Sequence, residues 1–156
     1  MRREAPSTSD EIIDSRDIIA RLEELTEERD DLERDIDDMQ EAVDEAGEDD
    51  KDAAQDDLDA AQDRLKEWDE DNGDELKALQ QLNDDAEGYA DDWKHGAALI
   101  REDYFVEYAQ QLADDIGAID RDAKWPCTHI DWEAAAEELK ADYTEVNFDG
   151  TTYLVR

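Results

Sequence analysis

Residues 18–43 read IIARLEELTEERDDLERDIDDMQEAV, and this stretch decides the fold that we expect. Its apolar residues recur at alternating spacings of four and three, the pattern of a helix with one apolar seam. Leu22, Arg29, Ile36 and Val43 occupy the four a positions of the seam. Ile18, Leu25, Leu32 and Met39 occupy its four d positions. The pattern predicts a long helix that packs through this seam against a second helix.

A second seam follows a short acidic linker. It consists of Ala54, Leu58, Ala61, Leu65 and Trp68, and it stays in phase through Asn72 and Glu75 to Leu79 and Leu82. Gly47 lies between the two seams and can end the first helix. The two seams therefore predict an acidic, antiparallel helical (coiled-coil) hairpin over residues 10–83. The sequence leaves open whether the seam closes within one chain or pairs two chains.

Two local signals predict where these helices begin and break. Thr8 and Glu11 have the spacing of a capping box, so we expect the first helix to begin there, after a flexible N-terminus at residues 1–9. Asn72-Gly73 is a turn dipeptide, which predicts a break or kink in the second helix.

Residues 84–156 contain ten of the eleven aromatic residues, which predicts a packed domain. Between Trp93 and Leu112 the spacing predicts one or two amphipathic helices, which end at Gly117. A further helix is predicted from a cap at Asp131 to Lys140, with Trp132, Ala135 and Leu139 facing inward. Residues 143–148 and 151–155 are predicted to form a β-hairpin around Asp149-Gly150. The predicted fold class is mainly α, with a small α+β C-terminal domain at residues 84–156.

The charge of the chain excludes several classes of function. Asp and Glu number 51 against 16 Lys and Arg, a formal net charge of -35. A surface this negative repels phosphate, so we expect no direct binding of nucleic acid or an anionic membrane. We expect basic proteins or cations as partners. The start of the chain lacks an apolar run, and no stretch approaches the ~20 apolar residues of a membrane span. These features predict a soluble, cytoplasmic protein.

The sequence offers no catalytic constellation. It has two histidines and one cysteine, and Cys127-x-His129 lacks a second pair at zinc spacing. The serines lie near the start of the chain, and no Gly-rich phosphate loop occurs. Calcium-loop alignments on Gly73 and Gly150 fail, because Trp68 and Arg156 then occupy ligand positions. We therefore predict no enzyme activity, no metal site and no cofactor.

Acidic stripes run along the helix faces that point away from the seam. The b and c positions of the first helix are acidic in all four heptads, and the outward face of the second helix is mostly acidic. The predicted partner-binding residues are Glu23, Glu24, Asp30, Asp31, Asp37, Asp38, Asp44, Glu45, Asp56 and Asp63. Such stripes cost stability, because like charges one turn apart repel by a few tenths of a kcal/mol per pair.

Three interpretations of the stripes remain open. They are a solvated face without further role, an adaptation to high salt, or a DNA mimic that enters a basic cleft and competes with DNA. The alternative function is a coiled-coil oligomerisation or scaffold protein, of a phage or halophilic source, whose acidic surface only solubilises it.

The C-terminal half resembles the end of ArdA-type antirestriction proteins and related phage proteins. The resemblance covers roughly residues 88–156 and is carried by four runs, Glu107–Gly117, Trp125-Pro126, Ile130–Tyr143 and Val146–Arg156. It implies an acidic DNA-mimic inhibitor of a host defence nuclease, a restriction–modification or CRISPR complex, acting in the cytoplasm of an infected bacterial host. It also implies a homodimer. Because the mimicry of that family rests on distributed charge, it assigns no individual binding residue.

Overall fold

The computed structural model of the chain describes residues 4–120 and 122–156. Its elements are β1 (Ile12–Asp14), α1 (Ser15–Glu45), α2 (Lys51–Glu87), β2 (Ala98–Arg101), α3 (Phe105–Asp115), α4 (Trp132–Lys140), β3 (Thr144–Phe148) and β4 (Thr151–Val155), with short 3₁₀ turns at Glu102–Tyr104 and Cys127–His129. This mainly helical fold with one small sheet confirms the predicted fold class. The chain forms two compact units. The hairpin unit is Ala20–Gln80, and the sheet unit is the described residues up to Ile19 and from Gln81 onward.

The hairpin unit consists of the antiparallel helices α1 and α2. Arg21 of α1 pairs with Glu75 of α2, and Arg29 pairs with Asp69, so partner numbers fall on α2 as they rise on α1. Between the helices, the buried seam residues are Leu25, Val43, Leu58, Ala61 and Leu79. The apolar seam therefore closes within one chain, as the heptad pattern allows.

The sheet unit is built on a four-stranded antiparallel sheet in the order β1-β2-β4-β3. Helices α3 and α4 pack on it through a core cluster of Ile100, Phe105, Ala109, Ala136 and Leu154. The central strand β4 buries three consecutive residues, 153–155, so both of its faces are covered. The β3–β4 hairpin turns at Asp149 and Gly150, whose φ angles of 48° and 83° suit a type I′ turn, and this confirms the predicted hairpin.

Hydrogen bonds of the Ser15 side chain connect the start of α1 to the segment that precedes β2. Its buried hydroxyl donates to the carbonyl oxygen of Trp93 at 2.6 Å and accepts from the backbone N–H of Ala97 at 2.7 Å. The indole N–H of the buried Trp93 donates to Asn83 at 2.8 Å. These bonds give each buried polar group near the first turn of α1 a partner.

The predicted start of the first helix is wrong. Helix α1 begins at Ser15, and residues 12–14 instead form β1, which pairs with β2. The side chain of Arg101 donates to the carbonyl oxygens of Thr8 and Ser9, at 3.2 and 2.9 Å. Thr8 therefore belongs to a turn held against β2, and no capping box forms.

Two further helix boundaries differ from prediction. Helix α2 continues through Asn72-Gly73 without a break, and the Asn72 side chain donates to the carbonyl of Trp68 one turn earlier. Residues 98–101, predicted within a helix, form β2, because they pair with β1 on one side and β4 on the other. The predicted stop at Gly117 is confirmed, with α3 ending at Asp115 and Gly117 at φ 73°.

Helix α4 confirms the predicted cap. The Asp131 carboxylate accepts from the backbone N–H of Ala134 at 3.1 Å, and the helix runs to Lys140. The inward face differs by one position, because Ala136 is the buried alanine and Ala135 is only half-buried.

Candidate functional site

The predicted stripes lie on the outer faces of α1 and α2 in the hairpin unit. Of the ten predicted residues, all except Glu24 are exposed. Glu24 is half-buried, because it accepts from Arg21 at 2.7 Å. The exposure follows from helix geometry, since the b, c and f positions point away from a buried a/d seam.

Arginines neutralise part of the hairpin unit. Arg21 bridges Glu24 and Glu75, with 2.7 Å to each carboxylate. The hydrogen bond that Arg21 donates to the Glu75 carboxylate is the main cause that raises the pKa of Arg21 above its usual value. These contacts place a fixed cation where two acidic faces meet.

A second bridge and a surface pair extend this neutralised region. Arg29, the polar residue of the first seam, pairs with Asp69 at 3.1 Å and with Glu33. The hydrogen bond that Arg29 donates to the Asp69 carboxylate is the main cause that raises the pKa of Arg29. Asp31 of the predicted stripe pairs with Arg34 at 2.9 Å. Three of the seven bases of the hairpin unit, Arg21, Arg29 and Arg34, thus form ion pairs with carboxylates of the same unit. All of these ion pairs lie within residues 20–34 and 64–80.

The part of the hairpin unit where α1 ends and α2 begins carries acids that almost no base compensates. Residues 35–63, here called the acidic tip, contain 14 Asp or Glu residues and one base, Lys51. Within the part of the chain that the structure describes, no carboxylate of the acidic tip forms an ion pair. The remaining residues of the unit, 20–34 and 64–80, hold 13 acids and six bases. The structure therefore divides the hairpin unit into a part whose acids are partly compensated by bases and a part whose acids are almost uncompensated.

The acidic tip is ordered despite its charge. Val43, Leu58 and Ala61 are buried between its two helices. Helix α1 ends on Asp44 and Glu45 with no base in its last turn, although acids at a helix C-terminus are unfavourable. Local stability therefore does not explain why these carboxylates occur here.

The stripe pattern identified only part of this surface. The acidic tip contains Asp37, Asp38, Asp44, Glu45, Asp56 and Asp63 from the prediction, and it adds Asp35, Glu41, Glu48, Asp49, Asp50, Asp52, Asp57 and Asp59. The added residues occupy the linker or other helix positions, so a heptad analysis misses them. A running count of acids and bases along the sequence would have located them, because bases almost disappear between residues 35 and 63.

The structure places no metal-ligand cluster among the residues it describes. Cys127 is exposed, and the His129 ring is hydrogen-bonded to the neighbouring Thr128 hydroxyl, at 3.0 Å from its Nδ1. These two residues therefore give no geometry from which a metal or catalytic site could be argued.

Comparison with known proteins gives no relative for this chain: no protein-family model, curated protein or solved structure matches it. Over residues 4–120 and 122–156, no helix combines the length and apolar character that crossing a bilayer requires. The functional argument therefore depends on the charge and geometry of the chain itself.

Proposed function

We propose that the chain is an acidic DNA mimic that inhibits a host defence nuclease, a restriction–modification or CRISPR complex. The acidic tip and the adjoining stripes of the hairpin unit occupy the basic DNA-binding cleft of that complex. The observation that carries this proposal is the excess of 13 acids over bases in residues 35–63, most of which lie on two packed helices.

The linear charge density of the acidic tip supports the proposal. The tip spans at most 13 residues of α2, from Lys51 to Asp63, or ~20 Å of helix axis. Duplex DNA places one charge on about every 1.7 Å of its axis, hence roughly 12 charges over the same length. The helical residues 35–45 and 51–63 of the tip contain 11 acids and one base, so their net charge of -10 is close to that of DNA. The other part of the unit carries -7 over a similar length, about half the density of DNA.

A preformed acidic surface competes well for a basic cleft. Most of the carboxylates lie on helices whose backbone is held by a buried seam, so little backbone freedom is lost on binding. A basic cleft also attracts such a surface over a long range, and salt weakens this attraction. The resemblance of residues 88–156 to ArdA-type antirestriction proteins favours the same class of target. No cofactor is needed for this mechanism.

The test is a capture experiment followed by an inhibition assay. The tagged full-length chain is exposed to bacterial lysate at low salt, and the retained complex is challenged with duplex DNA. We expect release of a restriction or CRISPR complex, whose DNA cleavage the purified chain then inhibits. Capture only of the chain itself or of phage structural proteins, or a complex that duplex DNA does not release, would contradict the proposal.

Matched variants locate the contact. Changing Asp37, Asp38, Asp44 and Asp56 to Asn removes four charges from the acidic tip, and we expect inhibition to weaken roughly tenfold or more. The control changes the exposed Asp84, Asp85, Asp115 and Asp149 of the sheet unit to Asn, with the same loss of charge. Equal inhibition by both variants would show that the acidic tip is not the contact.

The scaffold alternative has less support. The apolar residues that would join several chains in a coiled coil are used between α1 and α2 of one chain. Analytical ultracentrifugation of the isolated chain distinguishes the two functions, because a scaffold requires concentration-dependent growth beyond a dimer.

A further inference from the structure

A cavity of about 440 Å³ lies within the sheet unit, and its lining contains no residue of the acidic stripes. It is bordered by the turn that follows α2, by strand β2, by helix α3 and by the residues that precede β3. Its side-chain lining combines three tyrosines with three aspartates, Tyr89, Tyr108, Tyr143, Asp91, Asp92 and Asp142. Clefts of this volume are typical of small-ligand or single-side-chain recognition.

The tyrosine rings of the inner wall are held in fixed positions. The hydroxyls of Tyr108 and Tyr143 are 3.2 Å apart and hydrogen-bonded, and their rings are nearly perpendicular at 81°. Phe105 packs against both rings, with centroid distances of 5.6 and 5.2 Å. Burial raises the pKa of Tyr108 to about 12, so the phenol stays neutral at physiological pH. The wall therefore offers neutral aromatic surface in a rigid arrangement.

The third tyrosine is an exposed aromatic residue at the same cavity. The side chain of Tyr89 is 70% exposed, although the other aromatic residues of the cavity are packed. Tyrosine is enriched at protein interfaces relative to the rest of the protein surface. Tyr89 is thus available to cover a ligand that enters the cavity.

The charges of the cavity favour a cation. In the described part of the chain, Asp91, Asp92 and Asp142 form no ion pair and accept no side-chain hydrogen bond. Arg156 is the one base among the lining residues, so the lining keeps an excess of negative charge. The net charge of the whole chain adds to this attraction.

We propose that this cavity binds the guanidinium group of an arginine side chain presented by a partner protein. Tyrosine faces attract cations, and a planar guanidinium can stack on a ring while it donates hydrogen bonds to carboxylates. A compact ammonium would use the carboxylates alone and leave much of the aromatic surface uncovered. The proposal uses only the sheet unit and does not depend on the DNA-mimic function.

Arg156 provides an internal check on this proposal. Its guanidinium lies close enough to Tyr108 to act on the titration of that phenol, and it repels any second cation in the cavity. Replacing Arg156 with Gln removes this repulsion, so we expect the affinity for a guanidinium ligand to rise. A fall in affinity for the guanidinium ligand would instead mean that Arg156 helps to build the site and does not repel the ligand, which contradicts the proposal.

The experiment titrates N-acetyl-arginine amide into the full-length chain and follows backbone amides by NMR. We expect saturable shifts at Gly96, Ala98 and Thr144, which line the cavity. N-acetyl-citrulline amide has nearly the same shape without the charge, and it should cause no such shifts. N-acetyl-lysine amide with a free side-chain ammonium should bind more weakly. Shifts spread over the acidic tip, or equal binding of the citrulline compound, would overturn the proposal.

Variants tie the binding to the cavity. Asp142→Asn should raise the dissociation constant of the arginine compound about threefold or more. Asp149→Asn is the matched control, because it removes one charge at an exposed turn position outside the lining and Asn accepts its positive φ. The amide spectrum of each variant reports whether it is folded. An unchanged dissociation constant for a folded Asp142→Asn variant would contradict the proposal.

Discussion

At the scale of single residues, a few arginines determine which carboxylates of the hairpin unit remain free to bind. Arg21 and Arg29 each hold one carboxylate on α1 and another on α2. Each guanidinium therefore links the helices and removes two acids from the interacting surface. Because residues 35–63 contain no arginine and only one lysine, Lys51, the free carboxylates are concentrated there.

Ser15 gives a stability prediction for the sheet unit. Ser15→Ala removes the hydroxyl that serves the Trp93 carbonyl and the Ala97 N–H, and both backbone groups lose a buried partner. We expect the free energy of unfolding to fall by about 2 kcal/mol. Urea unfolding followed by tryptophan fluorescence measures the change. Ser9→Ala, at an exposed hydroxyl, is the control and should change stability little.

Tyr108 gives a prediction at alkaline pH. Burial, aided by the hydrogen bond to Tyr143, raises its pKa from 10.0 to about 12 in the folded chain. The stabilisation from the neutral phenol is complete below pH 10, where both states are protonated. It is lost as the pH rises through 12, because the unfolded state releases its proton first.

The measurement is the urea midpoint between pH 9 and 12. Tyr108→Phe cannot ionise, so its midpoint should decline less steeply than that of the unmodified chain. Tyr89→Phe removes a hydroxyl from a ring that is 70% exposed and serves as the control. If the urea midpoints of the unmodified chain and of Tyr108→Phe fell in parallel as the pH rises, the raised pKa of Tyr108 would be contradicted.

At the scale of elements, α2 carries a glycine that its fold does not require. Gly73 lies in the interior of the continuous helix, and an added Cβ would meet only the Asp69 Cβ, at 4.0 Å. We expect Gly73→Ala to stabilise the hairpin unit by about 0.5–1 kcal/mol, because alanine has the higher helix propensity. Gly150→Ala should destabilise the chain, since Gly150 has a φ of 83°. Thermal unfolding followed by circular dichroism tests both substitutions.

The elements also show how far local sequence determines this fold. The long seams and the Asp-Gly hairpin were predictable, because heptad spacing and turn chemistry act over a few residues. Strands β1 and β2 were not, since three or four residues show no clear period and their partners lie far apart in the sequence. Asn72-Gly73 has a turn signal, but the packing of a continuous seam on both sides of it keeps α2 helical.

The candidate site was predictable to a similar degree. Heptad positions identified exposed stripes on α1 and α2, and nine of the ten named residues are exposed. The ion pairs between the helices, such as Arg21 with Glu75, required the antiparallel register and could not be read from spacing. The cavity of the sheet unit joins residues from positions 89–92, 108 and 142–143, so only the folded chain brings them together.

At the scale of the whole molecule, charge is the dominant property, and it is unevenly divided. Residues 20–80 contain 27 acids and seven bases, whereas the rest of the chain contains 24 acids and nine bases. Like charges repel within each unit, so part of the free energy gained from the buried seam and core offsets this repulsion. Salt screens that repulsion, with a Debye length of about 10 Å at 0.1 M.

Opposite salt dependences of folding and binding follow if the chain acts as a DNA mimic. We expect the melting temperature to rise between 20 mM and 1 M NaCl, because screening relieves repulsion within the folded chain. Affinity for a basic DNA-binding complex should fall over the same range, because the attraction between the acidic tip and the cleft is screened. An adaptation to high salt alone predicts only the rise in melting temperature.

The variant with Asn at Asp37, Asp38, Asp44 and Asp56 separates the effects, since it should melt higher than the unmodified chain at 20 mM NaCl while binding more weakly. If that variant bound as tightly as the unmodified chain, the acidity would serve solubility and not recognition.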